Sequence, residues 1–169
     1  MKMRAKNATC DMDIELAHSL FEYRDGALYW KADVARNVKA GDRVGKNRTN
    51  FRLRVHYQEK VYSGNRIIFA LNHGYYPKVV DHINGDECDD RIENLRAADM
   101  TTNAQNRKRN TQNTSGAKNV GFKTAKNRWR VSVRKNDGTR FDRLFKNFDI
   151  ACTIAELARF KYHGEFARA

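Results

Sequence analysis

The chain has 169 residues, 40% hydrophobic and 31% charged, with a formal net charge of +13 and a sequence isoelectric point of about 9.9. That length furnishes one or two small domains with real cores, and no apolar run approaches the roughly 18 residues needed to span a bilayer. The basic N-terminus is not followed by the apolar stretch of a secretory signal. The three distant cysteines (Cys10, Cys88, Cys152) exclude a disulfide scaffold and a zinc knuckle and read as reduced thiols of a cytosolic protein.

The charge is unevenly spread. Residues 1–80 are net +7, residues 81–100 net −5 and residues 101–169 net +11. Such a basic excess favours a polyanionic partner, above all nucleic acid, through phosphate attraction and counterion release. An anionic membrane surface is disfavoured, because no basic amphipathic helix with a bulky apolar face is present.

In chain order, residues 11–23 predict a helix capped by Asp11 or Asp13, with Ile14, Ala17 and Phe21 on one face. Asp25-Gly26 predicts a turn before a strand at Leu28–Trp30. Phe51, Leu53, Val55 and Tyr57 alternate with Arg52, Arg54 and His56, a half-buried strand forming a hairpin with Lys60–Tyr62. Ser63 is placed to cap a short helix over Asn65–Asn72 that Gly74 ends. After Pro77, KVVDHI reads as a strand, INGDECDDR as a turn-rich connection and IENLRAA as the returning strand. A polar helix, TTNAQNRKRN, follows, capped by Asp99 or Thr101. The small-polar stretch TQNTSGA, residues 111–117, is the expected domain boundary. Beyond it, RWRVSVR and TRFDRLF flank Asn136-Asp137-Gly138 as a hairpin. A helix from Asp149 to His163 then presents Ala151, Ala155, Ala158 and Tyr162 on one face, close enough packing for a sheet.

The acidic segment that begins DHINGDECDDR stands out within so basic a chain. It reads either as a solvated loop that offsets neighbouring charge or as a seat for a cation held against something negative. Hydrolysing a phosphodiester requires a nucleophile, neutralisation of charge at phosphorus and help for the leaving alkoxide. A divalent ion supplies the last two, and a neutral imidazole deprotonates water. Asp81 and His82 are adjacent on a strand, Asn94 lies on the returning strand, and Asn103 and Asn106 share a face of the following helix. Hard oxygen donors from an Asp and an Asn suit Mg²⁺, which keeps waters and takes a phosphate oxygen.

The spacing Asp-His-x-Asn-Gly-Asp-x3-Asp-Arg-x2-Asn-Leu-Arg-x6-Asn-x2-Asn-Arg, over about residues 78–107, closely resembles the HNH endonucleases of the phage homing type, which carry a ββα-metal site. The preceding RIIFALNHGYYPKVV resembles the helix-Gly-x2-Pro approach of the same family. The resemblance implies that Asp81 and Asn103 bind a divalent ion, Mg²⁺ with Mn²⁺ able to substitute, and Asn106 is the alternative ligand to Asn103. It implies His82 as the general base and Asn94 as the residue that holds the hairpin and orients His82. Two positions depart from the family: Asn103 stands where the name implies a second His, and Asp90 stands where Asn is commoner. Arg91 and Arg96 are placed either to clamp the scissile phosphate or to pair with nearby carboxylates. Arg107, Lys108 and Arg109 are expected backbone contacts.

On NRWRVSVR, Arg128, Arg130, Ser132 and Arg134 face one way and Trp129, Val131 and Val133 the other. The apolar face must rest on the alanine-rich helix, leaving an arginine ladder outside, and a sheet of this kind can enter the major groove. The stretch SGAKNVGF…NRWRVSV…Phe148-Asp149…HGEFA resembles the APETALA2-type DNA-binding domain, over about residues 114–167. Asn119 replaces its usual Gly, and Leu144–Phe148 departs from its Leu-Gly-x-Phe. The resemblance makes Arg128, Arg130 and Arg134 candidate base or phosphate contacts.

The expected architecture is therefore α+β. Residues 1–110 form an N-terminal β-rich region and nuclease core (ββα-metal at about 78–110), 111–117 a linker, and 118–169 a three-stranded antiparallel sheet packed on one helix. The expected function is a Mg²⁺-dependent, site-directed endonuclease acting on double-stranded DNA, with no membrane and no obligate protein partner, in the cytoplasm of a bacterial host if phage-encoded. The rival readings are a DNA-binding regulator with an inactive core and a structure-specific junction or repair nuclease.

Overall fold

A computed structural model describes residues 10–45, 52–106 and 112–167. The chain divides into two compact units, Met1–Ala98 and Asp99–Ala169, and the α+β class expected from the sequence is observed.

The first unit opens with helix α1, Ile14–Leu20, whose first turn is capped by Asp13: Oδ1 accepts from the Leu16 amide at 2.9 Å. The helix is shorter than its 11–23 pattern predicts. At Phe21 the backbone turns extended (φ −127°, ψ 147°), and Phe21–Arg24 becomes strand β1, paired antiparallel with β2, Ala27–Trp30. Tertiary packing decides this: Phe21 lies opposite Trp30, their ring centroids 4.7 Å apart and both rings buried, which outweighs one more helical turn. Asp25 and Gly26 make the turn, both at positive φ.

Strands β3, Arg54–Tyr57, and β4, Lys60–Ser63, form the expected hairpin, with Val55 inside and Arg54 and His56 outside. Helix α2, Gly64–His73, follows directly and ends at Gly74 in the left-handed region (φ 75°). Ser63 precedes it without capping it; its hydroxyl instead bonds the Asn65 side-chain oxygen at 2.6 Å. Gly64 is required by a close approach, since a Cβ there would meet Leu53 at 2.4 Å. The apolar side of α2 (Ile67, Ile68, Phe69, Ala70) joins Leu28, Val55, Val80 and Leu95 in one core.

Strand β5, Val79–His82, pairs antiparallel with β6, Leu95–Ala98. The returning strand is shorter than IENLRAA predicts: Ile92–Asn94 is a 3₁₀ turn, so Asn94 sits just ahead of β6 rather than on it. This turn is braced from outside the hairpin. The Ile92 amide donates to the Tyr23 hydroxyl at 2.9 Å, and Ile92 packs against the common core.

The second unit begins with helix α3, Met100–Gln105, whose start is held by Asp99: its Oδ1 accepts from the Thr102 amide at 2.8 Å, and the Thr102 hydroxyl accepts from the Asp99 amide at 2.9 Å. Residues 112–117 lead into the sheet, with the Asn113 side chain accepting from Ser115 and Gly116 amides. Strands β7 (Val120–Lys123), β8 (Arg128–Arg134) and β9 (Arg140–Phe145) form an antiparallel sheet in sequence order. Helix α4, Phe148–His163, is capped by Asn147 and lays Ala151, Ala155 and Ala158 against Val120, Val131 and Val133, all buried. Small side chains let helix and sheet approach closely and fill space at protein-like density. Two buried cationic or titratable groups fasten the edges: Arg159 donates to the Lys118 carbonyl at 2.9 Å, and His163 Nε2–H to the Arg134 carbonyl at 2.7 Å.

Candidate functional site

Four buried polar side chains gather at the β5–β6 hairpin: Asp81, His82, Asp90 and Asn94, the last three contributed by strand end, loop and 3₁₀ turn. Groups of this kind are tolerated out of water only when partnered. Arg96, directly across the hairpin from Asp81, lays its guanidinium against the carboxylate: Nε donates to Oδ2 at 2.9 Å, and Nη2 lies 2.9 Å from the same oxygen as an ion pair. His82 Nε2 lies 2.9 Å from Asp90 Oδ1, with side chains only 6% and 1% exposed. A carboxylate beside a ring nitrogen accepts its hydrogen, so Nε2 carries the proton in the neutral ring.

The intervening loop is shaped by its own amides and carboxylates. Gly85 (φ 63°) donates to the His82 carbonyl at 2.8 Å, Asp86 N to Asn84 Oδ1 at 2.8 Å, and Cys88 N to Asp86 Oδ1 at 2.9 Å. Asn94 spans this loop. Its Oδ1 accepts from the Asn84 amide at 2.9 Å, and its Nδ2 donates to Asn84 Oδ1 at 3.0 Å and to the Asp89 carbonyl at 2.7 Å. Arg91 grips Asp89 through Nε and Nη2, both at 2.8 Å, which with the Asn84 bond holds the Asp89 carboxyl down to about 2. Glu87 pairs with Arg52 from the segment before β3. A basic hollow of about 420 Å³, lined in part by Arg52, Arg66 and Lys78, lies beside β5.

Of the residues singled out in the sequence, Asp81, His82 and Asn94 come together here, and Arg91 and Arg96 each pair with a carboxylate. Asn103 lies on α3 and Asn106 is buried just after it, both in the second unit. Arg107, Lys108 and Arg109 fall outside the described residues. Asp90, noted in the sequence only as a departure from the family's commoner Asn, is the residue whose role sequence reasoning missed. Among the carboxylates of one short loop nothing in the letters marks it as the partner of His82; burial does. Among the described residues no group of three or more His, Cys, Asp or Glu could hold a metal ion. An ion that keeps most of its waters needs few protein donors and is not confined to that pattern. Asp81 suits it, being a hard oxygen donor in a spot already built to hold positive charge, that of Arg96, against the carboxylate.

On the second unit, strand alternation puts Arg128, Arg130, Ser132 and Arg134 on the sheet face away from α4. Trp129 points to the other face, its ring 4.5 Å from Phe148 and 4.9 Å from Phe122. Arg130 is held by Asp142 of β9.

These features coincide with what comparison with known proteins finds. The HNH endonuclease family model matches residues 65–106, from α2 through the hairpin to the end of α3, and the chain carries an HNH endonuclease domain there. Over 97 residues the chain is 34% identical to Protein 3.8 of Escherichia phage T7, covering 56% of this chain and 75% of that protein, and it belongs to the same phage protein family. No solved structure matches it. A nuclease domain implies a DNA substrate, HNH nucleases use a divalent metal, and no helix among the described residues is long and apolar enough to cross a membrane.

Proposed function

We propose that the protein is a Mg²⁺-dependent, site-directed DNA endonuclease of the homing type, with residues 1–110 carrying the chemistry and residues 118–169, an APETALA2-type domain, carrying the grip on duplex DNA. The observation that supports it most is the buried pair of dyads on one strand, Arg96 on Asp81 and Asp90 on His82, inside the segment that matches the HNH family.

In this reading Asp81 and Asn103, or Asn106 in its place, hold the divalent ion. Bound there, the ion supplies neutralisation of charge on the scissile phosphate and on the departing 3′ oxygen. With Nε2–H of His82 given to Asp90, the nitrogen that takes a proton from the attacking water is Nδ1. Asp90 fixes the tautomer and the ring's direction, and Asn94 keeps the loop that carries Asp90 closed on the hairpin. The products are 5′-phosphate and 3′-hydroxyl ends. Arg128, Arg130 and Arg134 contact DNA from the outer sheet face, Arg107, Lys108 and Arg109 the phosphate backbone. Arg91 and Arg96, already paired with carboxylates, act on phosphate only by exchanging those partners.

The test is incubation of the purified chain with phage-derived duplex DNA, with Mg²⁺, with Mn²⁺ or with EDTA, beside His82→Ala. Discrete metal-dependent fragments that vanish in the variant are expected, with DNA affinity nearly unchanged. Tight, salt-sensitive binding and no cleavage with either metal would overturn the enzymatic reading, and cutting confined to branched DNA would overturn the homing type.

A further inference from the structure

The outer face of the β7–β8–β9 sheet carries Lys123, Arg128, Arg130, Arg134 and Arg140, and in their midst one carboxylate, Asp142. On a surface that meets a polyanion a carboxylate costs affinity, and an exposed cross-strand ion pair returns little to stability. Its position explains it. Asp142 takes the side-on edge of Arg130: Nε donates to Oδ1 and Oδ2 at 2.9 Å each, and Nη2 also donates to Oδ2. Ser132 lies directly across the strands from Asp142, and Arg140 Nη1 donates to the Ser132 hydroxyl at 3.3 Å. A guanidinium held by its Nε–Nη2 edge still presents a second edge, Nη1–Nη2, with two parallel N–H groups.

The surroundings leave room for a flat ligand at that edge. On one side Arg130 pairs with Gly121, where an added Cβ would meet nothing within 4 Å. On the other it pairs with Leu144, 41% exposed and offering an apolar contact. A hollow of about 470 Å³, lined by Lys123, Lys126, Arg130, Asp142 and Leu144 among others, opens beside the pair. The geometry points to Arg130 as a pre-set reader of a guanine edge in the major groove, with Asp142 as the residue that positions it. The O6 and N7 acceptors of guanine match a bidentate fork. Fixing the fork beforehand lowers the ordering cost of binding. This rests on the reading that the sheet faces DNA.

The experiment selects duplexes from a randomised library with the full chain in EDTA, so that no strand is cut, and then measures affinity for the selected duplex and its single-base variants. Four proteins are compared with the wild type: Arg130→Lys, Arg130→Ala, Asp142→Asn and the double variant Arg128→Ala/Arg134→Ala. Expected is a loss of about ten-fold or more in discrimination at one G·C pair for both Arg130 variants, with the salt dependence kept in Arg130→Lys. Asp142→Asn should lose discrimination at that same pair even though removing a negative charge raises affinity for other sequences. If Asp142→Asn and Arg130→Lys leave every base preference intact, Arg130 is not a base reader and the inference fails, while a weakened double variant would still uphold the sheet as the DNA surface. If the double variant changes neither affinity nor salt slope, the sheet does not face DNA and both readings fall.

Discussion

Replacing Asp90 tests the site at its least exposed point. Asp90 is 1% exposed and its carboxylate sits 2.9 Å from His82 Nε2, so it cannot itself touch DNA and acts only through the imidazole. In Asp90→Ala the Nε2–H loses this acceptor inside the core, which should cost about 1–3 kcal/mol of stability. The larger effect is on chemistry. The ring is then free to place its proton on either nitrogen and to turn, and a positioned general base is worth about 10²–10⁴ in rate. Asp90→Asn keeps a side-chain oxygen of the same shape to accept from Nε2, and should cut within about ten-fold of wild type, a modest loss beside the full contribution of a general base. The assay is single-turnover cleavage of plasmid DNA with Mg²⁺ at several protein concentrations, with a thermal melt of each variant. Asp90→Ala should lose kcat with KM held, and Asp90→Asn should recover most of it. An Asp90→Ala protein that is folded and cuts at the wild-type rate, while His82→Ala is dead, would refute the dyad.

Three further outcomes are expected. Arg96→Gln removes the guanidinium laid against Asp81 in a site where both side chains are nearly buried (12% and 6% exposed), so stability should fall by about 3–5 kcal/mol, read as a lower melting temperature. Added Mg²⁺ should restore more of that loss than it adds to the wild type, and equal shifts in both would argue against a cation seat at Asp81. The Asp89 carboxyl, held at about 2 by Arg91 against an ordinary 3.8, contributes stability that is full above about pH 4 and is lost as the pH falls toward 2. Melts from pH 5 to pH 2 should therefore fall more steeply for the wild type than for Asp89→Asn, and parallel curves would remove the Asp89–Arg91 pair as the cause. Finally, Ala155→Leu forces a large side chain between α4 and the sheet, where Ala155 is 1% exposed. It should destabilise the second unit by about 1–3 kcal/mol, visible as a lower melting temperature and weaker DNA binding; an unchanged melt would mean that α4 does not lie as close as described.

Local rules carried far along this chain. Alternation in RWRVSVR put Val131 and Val133 inside and the arginines outside, because side chains on a strand point to opposite faces whatever the strand packs on. Asp25-Gly26 and Asp137-Gly138 turn where they should, since positive φ is cheap for Gly at a tight turn and tolerated by Asp. The resemblance to the HNH endonucleases brought Asp81, His82 and Asn94 forward, and in the fold the loop returns Asn94 to the foot of the hairpin, where its Nδ2 donates to the Asp89 carbonyl.

What the letters could not decide were choices among equivalent residues and competing local structures. Residues 21–23 continue the helical pattern of α1 equally well, and only the meeting of Phe21 with Trp30, a partner nine residues on, makes them a strand. Six carboxylates lie from Asp81 to Arg96, and beyond Asp81 nothing in the sequence says which basic group each of them meets. The fold buries Asp90 against His82, gives Asp89 to Arg91 and Glu87 to Arg52, and sets Asp81 opposite Arg96. Likewise the sequence supplied three arginines on one face of β8, and only the register with β9, which sets Asp142 opposite Ser132 and one step from Arg130, distinguishes the arginine that is held from those that are not. Periodicity and turn chemistry act over a few residues and are written in the sequence. Which charge meets which depends on burial and strand register, and these exist only once the chain has folded.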